Sequence, residues 1–249
     1  MNKSPAEPKA EPAAFQTTRW TLVRQSADPA APDAALTALT QLCQAYWYPL
    51  YAFARRSGLP VHDAQDATQG FFSHLIQAGT LTRARADLGR FRTFLLGSMR
   101  HYLAKERRHH AAQKRGGGTL PVSLDELRAE QRYAREPADL FSPDLQFERS
   151  WAFALLESVF ARLAQEYALA GRAALFAELR PFLAGESARP GYQALADRLG
   201  LSAAAVATAI HRMRRRYGEL LRDEIAQTVT TPQEVEEEIA HLMAVVSGA

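Results

Sequence analysis

Residues 192–217 read Tyr192-Gln-Ala-Leu-Ala-Asp-Arg-Leu-Gly200-Leu-Ser-Ala-Ala-Ala-Val206-Ala-Thr-Ala-Ile210-His-Arg-Met-Arg-Arg-Arg-Tyr217. Ala194, Leu195 and Leu199 share one side of a short amphipathic segment, Gly200 supplies a turn, and Ser202 is a residue type that caps the next helix. Val206, Ile210, Met213 and Tyr217 then recur at helical steps, so they form a buried face. Thr208, His211, Arg212, Arg215 and Arg216 project mainly elsewhere. This spacing predicts a helix-turn-helix whose cations suit phosphates and guanine edges. An ordinary helical hairpin with a solvated Arg-rich face would show the same pattern.

Away from this stretch the periodicity stays helical, and no segment alternates as a strand. Leu36, Leu39, Leu42, Cys43 and Tyr46 fall on one face over Ala34–Tyr46. Pro49 is placed to open a further helix over Tyr51–Arg56, which Gly58 closes. Asp63 is a candidate cap for a helix through Phe72, Leu75 and Ile76 to Gly79. Phe91, Phe94, Leu95, Met99, Tyr102 and Leu103 stripe a helix over about 90–110, and their period fits core positions. Ser142-Pro143-Asp144 reads as cap, first-position proline and early acid ahead of a long helix through Trp151, Leu155, Leu156, Val159, Leu163 and Tyr167, closed by Gly171. Another helix is expected over Arg172–Leu183. The predicted fold is all-α: a disordered lead at 1–19, a helical domain at 20–115, a linker at 116–141, a helix-turn-helix domain at 142–226, and an acidic C-terminal helix at 227–249.

The net charge of +3 on 249 residues hides a strong segregation. Ten Lys and Arg lie between Arg83 and Arg115 against two acids, Asp87 and Glu106, whereas Glu234, Glu236, Glu237 and Glu238 cluster near the other end. A polyanion is the partner such a basic stretch implies. Cys43 is the sole cysteine, so no internal disulfide is possible. The first residues lack the apolar core of a signal peptide, and no run reaches the roughly 18 apolar residues of a membrane span, so a cytoplasmic protein without membrane contact is expected. No nucleophile stands with a base, no phosphate-cradling glycine loop occurs, and His101, His109 and His110 lack companions at ligand spacing. The sequence therefore predicts neither an enzyme nor a cofactor or metal site.

Three motifs occur in a telling order. Asp63-Ala-Gln-Asp-Ala-Thr-Gln-Gly-Phe-Phe72 resembles the acidic region-two signature of extracytoplasmic-function sigma factors of bacterial RNA polymerase. Phe91-Arg-Thr-Phe-Leu-Leu96, with Arg100, Arg107 and Arg108, is similar to that family's promoter-melting and minus-ten segment. Tyr192-x-x-Leu-Ala-x-x-Leu-Gly-Leu-Ser-x-x-x-Val206 with His211-Arg-Met-Arg-Arg-Arg216 looks like its region-four helix-turn-helix. The resemblance covers roughly residues 20–225.

It implies an alternative sigma factor that binds core polymerase and promoter DNA, with an anti-sigma or other regulatory protein as a further partner. By this resemblance Asp63, Asp66, Gln69 and Phe72 meet the polymerase, the Phe acting as an aromatic anchor. Arg92, Arg100, His101, Lys105, Arg107 and Arg108 serve the minus-ten element and melting. Ser202, Thr208, His211, Arg212, Arg215 and Arg216 serve the minus-thirty-five element. The chain departs from the family pattern at Gln65 and Gly70, where acids are usual, and at Phe94, His101 and Lys105. Two other classes fit the same residues: a helix-turn-helix regulator that never joins polymerase, and a protein-binding adaptor. Beyond the family pattern, Thr231-Pro-Gln-Glu234 has capping-box spacing, and Val235, Ile239, Leu242 or Met243, and Val246 follow at helical steps. This extension either folds back on the DNA-binding helices, docks a partner, or packs as a helix with a solvated acidic face.

Overall fold

A computed structural model describes residues 20–28, 30–84, 89–110, 126–134, 142–184, 191–229 and 231–248, and within them every regular element is helical. In chain order these are α1 (Trp20–Ser26), α2 (Pro32–Arg56), α3 (Val61–Gln77), a 3-10 turn (Thr80–Arg83), α4 (Phe91–His110), α5 (Glu126–Tyr133), α6 (Pro143–Leu169), α7 (Ala173–Leu179), α8 (Pro181–Ala184), α9 (Tyr192–Leu199), α10 (Ala203–Ala226) and α11 (Pro232–Ser247). The lead at 1–19 and the stretches 116–125 and 135–141 of the expected linker lie outside the described residues.

Side-chain caps set several starts as the sequence predicts. Ser142 Oγ accepts from the Leu145 amide at 3.3 Å, Ser202 Oγ from Ala205 at 3.1 Å, and Thr231 Oγ1 from Glu234 at 3.4 Å. Each such cap is worth about 1 kcal/mol. Other boundaries differ. Asp63 is no cap: α3 begins two residues earlier, after Pro60, and Asp63 sits in its exposed first turn. Pro49 does not divide α2, which runs through it. An interior proline costs roughly 3 kcal/mol, but Tyr46, Trp47, Leu50 and Tyr51 around it are all buried, and Trp47 stacks on Tyr51 at 5.2 Å. Pro181, by contrast, separates α7 from α8 within the single helix expected there.

The core is built on α2 and α6, with α1 and α3 flanking α2, and α10 and α11 flanking α6. One continuous apolar cluster extends from Leu22 to Val245. The segments expected as two linked domains share this cluster, meeting chiefly through α2 and α6. The reason lies in α6: Phe147, Trp151, Ala152, Ala154, Leu155, Val159 and Leu163 are buried around much of its circumference. A helix apolar on more than one side needs neighbours on more than one side. Even the expected linker contributes. Its helix α5 docks on α2, where Glu130 pairs with Arg55 at 3.0 Å and accepts from the Tyr51 hydroxyl, and Arg132 lies over the Tyr48 ring at 4.2 Å.

Where α4, α6 and α11 meet, one buried cation joins them. The Arg92 guanidinium donates through Nε to Glu148 Oε2 at 2.8 Å and through Nη1 to Glu238 Oε1, and its Cζ lies 4.2 Å from the Trp151 ring centroid. Glu238 is fully buried; its Oε2 stands 2.7 Å from Arg90 Nη2, within ion-pair distance though outside hydrogen-bond alignment. Burial disfavours the charge on Arg92, but Glu148 and Glu238 outweigh it and hold its pKa above the ordinary value. Replacing only Arg92 leaves Glu238 buried with its strongest partner gone. Arg92→Leu should lower stability by about 3–5 kcal/mol, read from urea midpoints, and Arg92→Leu/Glu238→Leu should recover most of that loss.

Candidate nucleic-acid interface

The stripe of α4 that packs inward is Phe91, Leu95, Leu96, Met99 and Leu103. Residues a third to half a turn away then face solvent by geometry. Arg100, His101, Lys105, Arg107 and Arg108 are all exposed there, forming a cationic face on the second half of the helix. Arg100 pairs with Asp144 at the start of α6, with both side chains about half exposed at 51%. Such an exposed pair adds ~0–1 kcal/mol and yields readily to a phosphate. Arg108 Nε donates to the Ala104 carbonyl at 3.1 Å, and a ring nitrogen of His101 lies 2.8 Å from the Gly97 carbonyl. Phe91 is core, as its period predicts, while Phe94 and Tyr102 are half-buried beside it. Arg92 departs from the expected DNA-binding set. It falls on the inward stripe of α4, so its charge faces Glu148 and Glu238 rather than solvent.

The second cationic face belongs to α10. Gly200 adopts a left-handed turn at φ +62°, open to a glycine at little cost, and redirects the chain from α9 into α10. Leu195, Ala196, Val206, Ile210 and Met213 close the corner between the helices. Thr208, His211, Arg212 and Arg215 are exposed. Ser202 is also exposed, but its oxygen caps α10, and the Thr208 hydroxyl donates to the Ala204 carbonyl at 2.9 Å. Arg215 pairs with Glu219 at 2.9 Å while remaining 75% exposed. Arg216 is more constrained: it grips both oxygens of Glu166 on α6, at 2.8 and 2.7 Å, and reaches Glu219 at 3.3 Å.

On α3, Asp63 and Asp66 are exposed and Gln69 is half-buried on the same side. Phe72 corrects the expected anchor, because it is only 6% exposed and its ring lies 5.7 Å from that of Phe71 in the core. Gly70, an acid in the family pattern, has a steric explanation. A Cβ built there would collide with the Tyr102 hydroxyl of α4, whose ring sits against Phe71 and His74. Close approach of α3 and α4 thus depends on a missing side chain.

The sequence reading missed Arg90, Glu148, Trp151 and Glu238 as a unit. A signal was present: Arg92 and Glu238 each fall on the apolar stripe of their own helix, where a charge implies a partner. None of the described helices is long and apolar enough to cross a membrane. Among the described residues, no group of three or more His, Cys, Asp or Glu side chains is placed to hold a metal ion. No family model, no curated protein and no solved structure matches the chain.

Two outcomes follow from this geometry. An alanine in a helix interior is normally favoured over glycine by about 1 kcal/mol, yet Gly70→Ala should destabilise the protein by about 1–3 kcal/mol through overpacking; adding Tyr102→Phe should restore most of the thermal midpoint. The Arg216 guanidinium holds the Glu166 carboxyl below the usual carboxylate range. A carboxylate with a lowered folded pKa contributes stability that is present above its unfolded value, about 4.3, and is lost as pH falls through the folded one. Glu166→Gln should therefore flatten the acid limb of urea stability measured from about pH 6 to about pH 3.

Proposed function

We propose that this chain is an alternative sigma factor, a protein of the cell interior that binds core RNA polymerase and directs it to promoters by gripping and opening DNA. The observation that carries the reading is the pair of outward cationic faces on α4 and α10, set on one helical body beside the exposed acids of α3. Support also comes from the order of the three motifs along the chain, which matches the sigma pattern in its acidic helix, its basic helix and its helix-turn-helix.

The chemistry assigns a part to each surface. Base pairs open when something holds the displaced strand, and phosphate-binding cations do this without regard to sequence. Arg100, Lys105, Arg107 and Arg108, with His101 among them, supply that hold on α4. In the helix-turn-helix, the first turns of the reading helix enter the major groove. Those turns carry Ala203, Ala204, Ala205 and Ala207 here, so base contacts fall to Thr208, His211 and Arg212 beyond them, and Arg215 reaches a phosphate. Asp63, Asp66 and Gln69 present anionic and amide oxygens to a basic surface of the polymerase, which steers encounter more than it adds affinity.

One observation favours a second reading. The single core that holds both halves together suits a regulator that binds one stretch of duplex and never enters polymerase. Capture of core polymerase by the tagged chain separates the two, since the regulator reading predicts none. Run-off transcription with core polymerase and genomic promoter fragments tests the first directly. We expect transcripts that depend on the chain, lowered by about tenfold in Arg107→Ala/Arg108→Ala and in Arg212→Ala/Arg215→Ala, a loss of about 1.4 kcal/mol. The salt dependence of DNA binding should fall by about 0.9 in log–log slope for each phosphate contact removed. Absence of chain-dependent transcripts from every fragment would overturn the sigma reading.

A further inference from the structure

Gly70, Gly97 and Gly218 stand inside helices, and two of them have a neighbour in the space a side chain would fill. At Gly70 that neighbour is the Tyr102 hydroxyl, and at Gly218 it is Arg222 Nη1 at 3.6 Å. Gly97 of α4 is different: among the described residues, nothing lies within 4 Å of a Cβ built there. Nor does it take up the left-handed conformation that favours glycine. Glycine is less stable than alanine inside a helix, and neither packing nor backbone calls for one at this position.

The missing side chain leaves a notch on the outer side of α4. A helical side chain covers the turn that precedes its own Cα, so the vacated space lies over Thr93 and Phe94. Thr93 is exposed, and Phe94 is half-buried with its ring stacked on Phe91 at 5.9 Å. The exposed ring of His101 borders the other end. Its Nδ1 lies 2.8 Å from the Gly97 carbonyl oxygen, which can only accept, so Nδ1 carries the proton. In the neutral ring Nε2 is then a hydrogen-bond acceptor. Lys105 and Arg108 follow His101 at steps of four and three along one exposed stripe. An aromatic surface, a gap, an oriented acceptor and adjoining cations are the groups that hold an unstacked base together with its phosphates.

Resting on the sigma reading above, we infer that the Gly97 notch receives one unpaired base of the opened strand, which lies against Phe94 and donates a hydrogen bond to His101 Nε2. Adenine, cytosine and guanine carry an exocyclic amino donor and thymine does not, so the notch takes an amino-bearing base. Lys105 and Arg108 hold the phosphates beside it.

The test uses run-off transcription with core polymerase on fragments that the unmodified chain transcribes. Gly97→Leu fills the notch; its thermal midpoint should not fall, while transcript yield falls at least tenfold. Templates with one abasic site, moved through each position of the opened strand, then locate the captured base. One position should cost the unmodified chain at least tenfold, and the same site should cost Gly97→Leu less than twofold further. Thymine at that position should be severalfold poorer than adenine, and His101→Ala should level the two. Equal yields from Gly97→Leu and the unmodified chain, the same abasic losses in both at every position, or a lowered midpoint in Gly97→Leu would each overturn the notch and leave the sigma reading standing. Thymine discrimination unchanged in His101→Ala would overturn the part given to His101. No transcripts from the unmodified chain would overturn the sigma reading, and the notch with it.

Discussion

The Arg92 guanidinium lies on the face of Trp151 with Glu148 on one edge and Glu238 on another, and the joining of α4, α6 and α11 depends on it. Taking a guanidinium and a carboxylate out of water costs several kcal/mol per ion, which only close, hydrogen-bonded partners offset. Here the partners come from three helices far apart in sequence, α4, α6 and α11. None of them can move away alone without stranding a buried charge. Specificity of arrangement is the consequence: apolar helices slide and repack at modest expense, whereas a buried ion pair is satisfied in one geometry.

The cations of the chain differ in how far they are committed to internal partners. Arg92 sits on the apolar stripe of its helix and is paired inside the protein. Arg216, half exposed at the rim, is tied to Glu166 by two hydrogen bonds. Arg100 and Arg215 hold their acids at exposed sites, where the pairs are weak and exchange readily for a phosphate. Lys105, Arg107 and Arg212 face solvent. The basic residues of α4 and α10 are therefore graded in structure, from a fixed internal tie to open cationic faces. The grading follows helical angle rather than position along the chain.

Close packing adds a second constraint of the same kind. Gly70 lacks the side chain that would strike Tyr102, so α3 and α4 approach where an acid would keep them apart. The acidic surface of α3 is correspondingly narrower than the family pattern suggests, with Asp63 and Asp66 carrying it. Phe72, expected as an anchor beside them, turns inward because α3 places it on the same side as Leu75 and Phe71.

Helical periodicity, the caps at Ser142, Ser202 and Thr231, and the turn at Gly200 were all legible in the residue order, because each depends on neighbours within a few positions. The same locality made both cationic faces readable: a helix turns by a constant angle, so apolar and basic sides separate on paper as they do in space. The joining of the two halves was not legible. It depends on the many-sided burial of α6, on α5 docking within the expected linker, and on Glu238 reaching Arg92 across the fold. Pro49 shows the same limit from the other direction, since tertiary burial of the aromatic residues around it outweighs a local signal to stop. A charge on an apolar stripe announces that it has a partner, but which partner is set by the path of the chain through space, and spacing along the sequence carries no record of that path.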